Sequence, residues 1–162
     1  MKFDANDYMP TKYKLNKLVT KDVWIALVTE LKKYYGPFKS KNYPGETYTN
    51  KYYNPEIVKN ITGEEINSGL CHFMSHAIHK IHPEYKSVST DDFKTELFAA
   101  GVKLPSDHAF LVKNKKFYDA EVPDGVDNVW RLPFFIRFMQ RKAKRSEIKK
   151  EKLLATNSKM KK

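Results

Sequence analysis

The stretch HAFLVKNKKFYDAEV, His108 to Val122, limits the fold more than any other part of the chain. Two runs of strand-forming residues flank Asn114-Lys115, and a two-residue connection of this kind joins antiparallel strands as a hairpin. A turn there pairs Val112 with Phe117, Phe110 with Asp119 and His108 with Glu121. Strand side chains alternate between faces, so His108, Phe110, Asp119 and Glu121 are expected on one face. Asp119 then lies diagonal to His108, and Glu121 directly opposite it. A carboxylate in either place can fix the tautomer of the histidine and stabilise its protonated form.

Helical patterns surround this hairpin. In TKDVWIALVTELKKYYG, Thr20 caps a helix, Val23, Leu27, Leu31 and Tyr34 form its apolar stripe, and Gly36 stops it. Residues 37–66 carry no helical period and read as a long ordered loop or short strands. A helix is expected over 70–82, and another over 89–101, capped by Ser89 or Thr90 with Phe93, Leu97 and Ala100 inward and Gly101 at its end. NVWRL, 128–132, is expected as a third strand, and Pro133 opens the last helix. The order implies an α+β fold: N-terminal helices packed on a small antiparallel sheet, followed by a basic C-terminal helix.

A chain of 162 residues is most simply one domain, assigned here to residues 1–140 with a tail over 141–162. The net charge of +11 is concentrated in that tail, where ten Lys/Arg face two Glu, leaving +3 on the rest. Such a tail suits nucleic acid or an acidic protein as partner. The tyrosines among the loop lysines, Tyr43, Tyr48, Tyr52 and Tyr53, could add stacking to it. One cysteine cannot close an intramolecular disulfide, and no apolar run is long enough for a membrane span. With no signal-peptide pattern at the start, the expectation is a cytoplasmic protein without a membrane partner or cofactor.

The sole cysteine and four of the five histidines fall in SGLCHFMSHAIHKIHP, residues 68–83. At about 100° per residue, Phe73, Met74, Ala77, Ile78 and Ile81 form one apolar face, with His72, His76 and His79 opposite. The three histidines are spaced for a metal ion, but no carboxylate base lies between His72 and His76 and no matching thiolate or acidic ligand follows. They therefore read first as a solvated face, with metal binding the weaker alternative. Cys71 opens this helix, where exposed backbone N–H groups favour a thiolate and can hold an oxyanion. Its competing role is that of a small buried hydrophobe. Its natural partner is His108, since adjacent His72 points about 100° away around the helix.

Taken together, NSGLCHFMSHAI, DHAFLV and KFYDAEVPDG resemble the papain-like cysteine hydrolase fold in its small NlpC/P60-like and transglutaminase-like forms, over roughly residues 66–132. The resemblance implies a nucleophile at Cys71, a general base at His108 and an orienting carboxylate at Asp119. No glutamine precedes the cysteine at the papain position; the side chain of Asn67 is the candidate oxyanion donor in its stead, and Glu121 an auxiliary acid. The implied activity is hydrolysis or acyl transfer at an amide, isopeptide or thioester bond, with a protein or peptide substrate. A binding protein working through the basic tail is the alternative.

Overall fold

The chain is described by a computed structural model that covers residues 3–35, 38–39, 47–48, 52, 54–93, 99 and 107–160. Helix α1, Lys21–Tyr35, starts where Thr20 Oγ1 accepts from the Val23 N–H at 3.3 Å. Its apolar stripe puts Val23, Trp24, Leu27, Val28 and Leu31 in the core. Trp24 is fully buried, and its indole N–H donates to the Tyr8 carbonyl at 2.7 Å, which ties the N-terminal segment to the helix. Truncating a buried side chain of that size would cost about 3–5 kcal/mol.

Between α1 and the cysteine helix the expected loop is partly helical. Phe38–Lys39 (β1) pairs with Thr47–Tyr48 (β2), as short strands, but Pro55–Lys59 forms α2 and Gly63–Gly69 forms α3. Both helices are shorter than two full turns of amphipathic pattern, so periodicity could not reveal them. Their caps did carry the signal: Asn54 accepts from the Glu56 N–H ahead of Pro55, and Thr62 accepts from the Glu65 N–H. Tyr52 is buried and so withdrawn from base stacking. Tyr43, Tyr53 and the Tyr48 side chain lie outside the described residues.

Helix α4 runs from Cys71 to Ile81, one residue inside the expected range at each end. It packs Met74, Ala77 and Ile78 against α1 on one side and the sheet on the other. The sheet is Lys86–Ser89 (β3), Ala109–Lys113 (β4), Lys116–Asp119 (β5) and Val122–Val126 (β6), in that order and antiparallel throughout. The hairpin holds its expected register, with Val112 opposite Phe117. Its turn residues Asn114 and Lys115 have φ of 50° and 63°, as a type I′ connection requires.

The third strand differs from the expectation. NVWRL does not extend: Asn128 accepts from the Trp130 N–H and winds Val129–Arg131 into a 3-10 turn. The strand is VPDGV instead, tolerable with Pro123 and Gly125 because β6 is an edge. Gly125 sits at φ +82°, where an added Cβ would lie 2.6 Å from the Tyr118 ring. Of the helix expected over 89–101, Thr90–Phe93 is a 3-10 turn, while 94–98 and 100–101 lie outside the described residues.

Alternation along the sheet divides the core. Leu111 and Tyr118 join the α1–α4 cluster, whereas Phe110, Val112 and Phe117 face Leu132, Phe134 and Phe135 at the start of the last helix. That helix, α5, spans Pro133–Met160, and beyond Met139 its described side chains are all exposed. Among the described residues no helix is long and apolar enough to cross a membrane.

Candidate functional site

The site is assembled from the start of α4, the residue before β4 and the β5–β6 turn. Cys71 is the first residue of α4 and is buried. Leu70 occupies the cap position, and no side chain caps the helix. First-turn N–H groups have no partner within a helix, so those of α4 are not consumed by a cap. Just before α4, Gly69 lets the Tyr52 hydroxyl pack closely against the end of α3: a Cβ there would lie 2.7 Å from that oxygen.

His108 is wholly inaccessible to solvent. Its backbone is pinned from both sides by Thr90, whose hydroxyl accepts from the His108 N–H at 3.1 Å and whose N–H donates to the His108 carbonyl at 3.0 Å. The ring stacks on Phe134 at 4.4 Å between centroids, with Phe110 and Phe135 closing the other sides. Nε2 lies 3.2 Å from Asp119 Oδ2. Nδ1 has no hydrogen-bond partner among the described residues, and the Cys71 thiol is near enough to the ring to raise its basicity.

Asp119 is aimed by its other oxygen. Oδ1 accepts from the N–H groups of Glu121 and Val122 at 2.9 and 3.2 Å, a side-chain turn that fixes the carboxylate and leaves Oδ2 for the histidine. These contacts set the basicity of His108. Burial is the largest single influence and disfavours the imidazolium. The Asp119 hydrogen bond and the Cys71 thiol together outweigh it and raise the pKa to about 8. At neutral pH the cationic form is therefore favoured beside the thiol.

Two residues that the sequence did not single out, Tyr13 and Arg137, brace this turn together with Asn67. The Tyr13 hydroxyl donates to the Ala120 carbonyl, and its own pKa is raised to about 12, chiefly by burial, with Asn16 opposing and Asp119 and Glu121 adding. Arg137 forms a fork with Glu121, at 2.8 and 2.7 Å, and Asn67 Nδ2 donates to the same carboxylate at 2.8 Å. Glu64 stands 3.5 Å from the Arg137 Nε. Arg137 was visible in principle as the lone cation in PFFIRFM, an apolar run in which a charge needs a partner. Asn67, expected as an oxyanion donor, gives a side-chain N–H to Glu121 and acts as a strut between α3 and the turn. Glu121 is the hub of that strut and does not bond His108.

The three histidines opposite the apolar face go separate ways. His72 Nε2 is 2.9 Å from Asp107 Oδ2, and Asp107 also accepts from the Thr90 hydroxyl and the Asp91 N–H. Burial pushes the Asp107 carboxyl up, but those hydrogen bonds and His72 prevail and hold it below its ordinary value. His79 Nδ1 lies 2.7 Å from the Tyr85 carbonyl. Among the described residues no three His, Cys, Asp or Glu side chains converge to hold a metal ion. A groove of about 330 Å³ between α1 and α4, lined by Glu30, His72, Phe73, His76 and Lys80, borders none of Cys71, His108 and Asp119.

Comparison with protein-family models, with curated proteins and with solved structures gives no match for this chain. Its class is set by geometry: an α+β chain that gathers a thiol, a buried imidazole and a hydrogen-bonded carboxylate.

Proposed function

We propose that the chain is a cysteine-dependent hydrolase or acyl transferase on a papain-like scaffold, acting on an amide, isopeptide or thioester bond of a protein or peptide. The observation that carries this reading is the solvent-free His108 ring, bonded to Asp119 at 3.2 Å, with the Cys71 thiol near enough to raise its basicity and standing at an uncapped helix start. His108 in its neutral form takes the thiol proton, the raised basicity of the ring favours the resulting imidazolium, and the Cys71 sulfur attacks the acyl carbon. The carbonyl oxygen becomes an oxyanion facing the first-turn N–H groups of α4. Collapse of this adduct breaks the scissile bond, the imidazolium gives its proton to the leaving amine or thiol, and a thioester on Cys71 remains. Water or an amine, deprotonated by His108, then displaces the sulfur. Asp119 keeps the ring oriented and stabilises its cation throughout.

The test is the rate of Cys71 alkylation by iodoacetamide between pH 4 and 9, in the wild type and in His108→Ala. A rate already high near pH 6 and lost in the variant supports the pair. A slow rate that climbs only above pH 8 in both proteins overturns it.

A further inference from the structure

The last helix leaves the body and carries most of its positive charge on one side, with Lys150 opposite. Counting about 100° per residue, Arg141, Lys142, Lys144, Arg145, Lys149 and Lys152 fall within an arc of about 160°. Only Ile148 and Ala155 interrupt them there, and Glu147 and Glu151 lie outside the arc. Every side chain from Arg141 to Ala155 is exposed. At 1.5 Å per residue the row runs about 17 Å along a straight helix.

Three features select among polyanions. Ile136, Met139, Leu153 and Leu154 are exposed on the side away from the charges, but between Met139 and Leu153 only Ala143 continues that side, so the apolar face a bilayer would take up is interrupted alongside the cationic row. Residues 141–160 contain no aromatic side chain, and unpaired strands are held largely by stacking on aromatics. A rigid single-sign row matches the closely spaced phosphates of a duplex, which carries a charge about every 1.7 Å of its axis. From this geometry we infer that residues 141–152 of α5 form a docking face for the phosphate backbone of double-stranded nucleic acid, without base reading. This face involves neither Cys71 nor His108, so it stands or falls apart from the proposed chemistry.

The experiment is fluorescence anisotropy of the full chain with a labelled 20-base-pair DNA duplex of arbitrary sequence, from 50 to 200 mM KCl. With four to six phosphates contacted, affinity should fall about 10²–10³-fold over that range, and unrelated duplexes should bind alike. The triple variant Arg141→Gln, Arg145→Gln, Lys149→Gln should weaken binding about tenfold or more at 100 mM KCl and flatten the salt slope by about 2–3. Removing three exposed charges from the body, Lys12→Gln, Lys14→Gln and Lys115→Gln, should change it less than about threefold. Circular dichroism confirms that both variants are folded. Equal losses in the two variants, no binding at 50 mM, or tighter binding to the single strand would overturn the inference. Binding to phosphatidylserine vesicles with none to the duplex would also overturn it, in favour of a lipid surface.

Discussion

Replacing Asp119 by Asn isolates the electrostatics of the site. The Asn Oδ1 keeps the acceptor used by the Glu121 and Val122 N–H groups, so the β5–β6 turn survives. What disappears is the negative charge 3.2 Å from His108 Nε2. Burial, the largest influence on His108 and opposed to the cation, then meets only the Cys71 thiol. The pKa of His108 should drop from about 8 by about 1–2 units, a 10- to 100-fold change in its protonation equilibrium.

The same shift governs stability. A histidine raised from 6.5 to about 8 stabilises the fold fully below pH 6.5, and that contribution is lost as pH rises through 8. The 1.5-unit rise corresponds to about 2 kcal/mol. Wild type should therefore lose up to about 2 kcal/mol relative to Asp119→Asn between pH 6 and 9, read by urea unfolding at each pH. NMR titration of the His108 ring protons gives the pKa directly. A His108 that still titrates near 8 in the variant, or a stability difference that is flat across this range, refutes the assignment of Asp119 as the stabiliser of the imidazolium.

Two further substitutions probe the frame around the site. Arg137→Met removes the fork on Glu121, whose carboxylate is four-fifths buried; about 2–3 kcal/mol of stability should be lost in urea titrations, and Arg137→Lys should recover only part of it. Gly125→Ala should cost about 1–3 kcal/mol in a thermal melt, because φ is +82° and the new Cβ meets the Tyr118 ring at 2.6 Å.

How legible the molecule was depended on whether the information was local. The hairpin could be read because Asn114-Lys115 sets the turn and period-2 alternation sets the faces, both within fifteen residues. That register alone brought His108 and Asp119 together. Helices α1 and α4 were long enough to show an apolar stripe. Helices α2 and α3 were not, and they survive on caps and tertiary contacts. Strand β6 was hidden because edge position, a tertiary property, is what excuses Pro123 and Gly125. The bracing of the site by Tyr13 and Arg137 spans 107 and 16 residues, and no pattern in the chain links those partners. Asn67 illustrates the same limit: proximity to Cys71 in sequence suggested an oxyanion role, while packing turned its amide toward Glu121.

A buried imidazole–carboxylate pair can be kept for packing or for chemistry, and mutational coupling separates the two. His108 is enclosed by Phe110, Phe134 and Phe135, surroundings in which an aliphatic side chain would be at home. Changing His108→Leu alone strands the Asp119 carboxylate, only 2% exposed, and should cost about 3–5 kcal/mol. Adding Asp119→Ser removes that charge yet leaves an oxygen for the turn N–H groups. The double variant should therefore return to within about 1–2 kcal/mol of wild type, since apolar replacement of a buried pair is often neutral. Both proteins should lose the fast alkylation of Cys71 near pH 6. Recovery of stability without recovery of reactivity would mean that the fold does not need the pair and the thiol does. A double variant no more stable than the single one would show instead that His108 and Asp119 hold the sheet end together, and the catalytic reading would lose its main support.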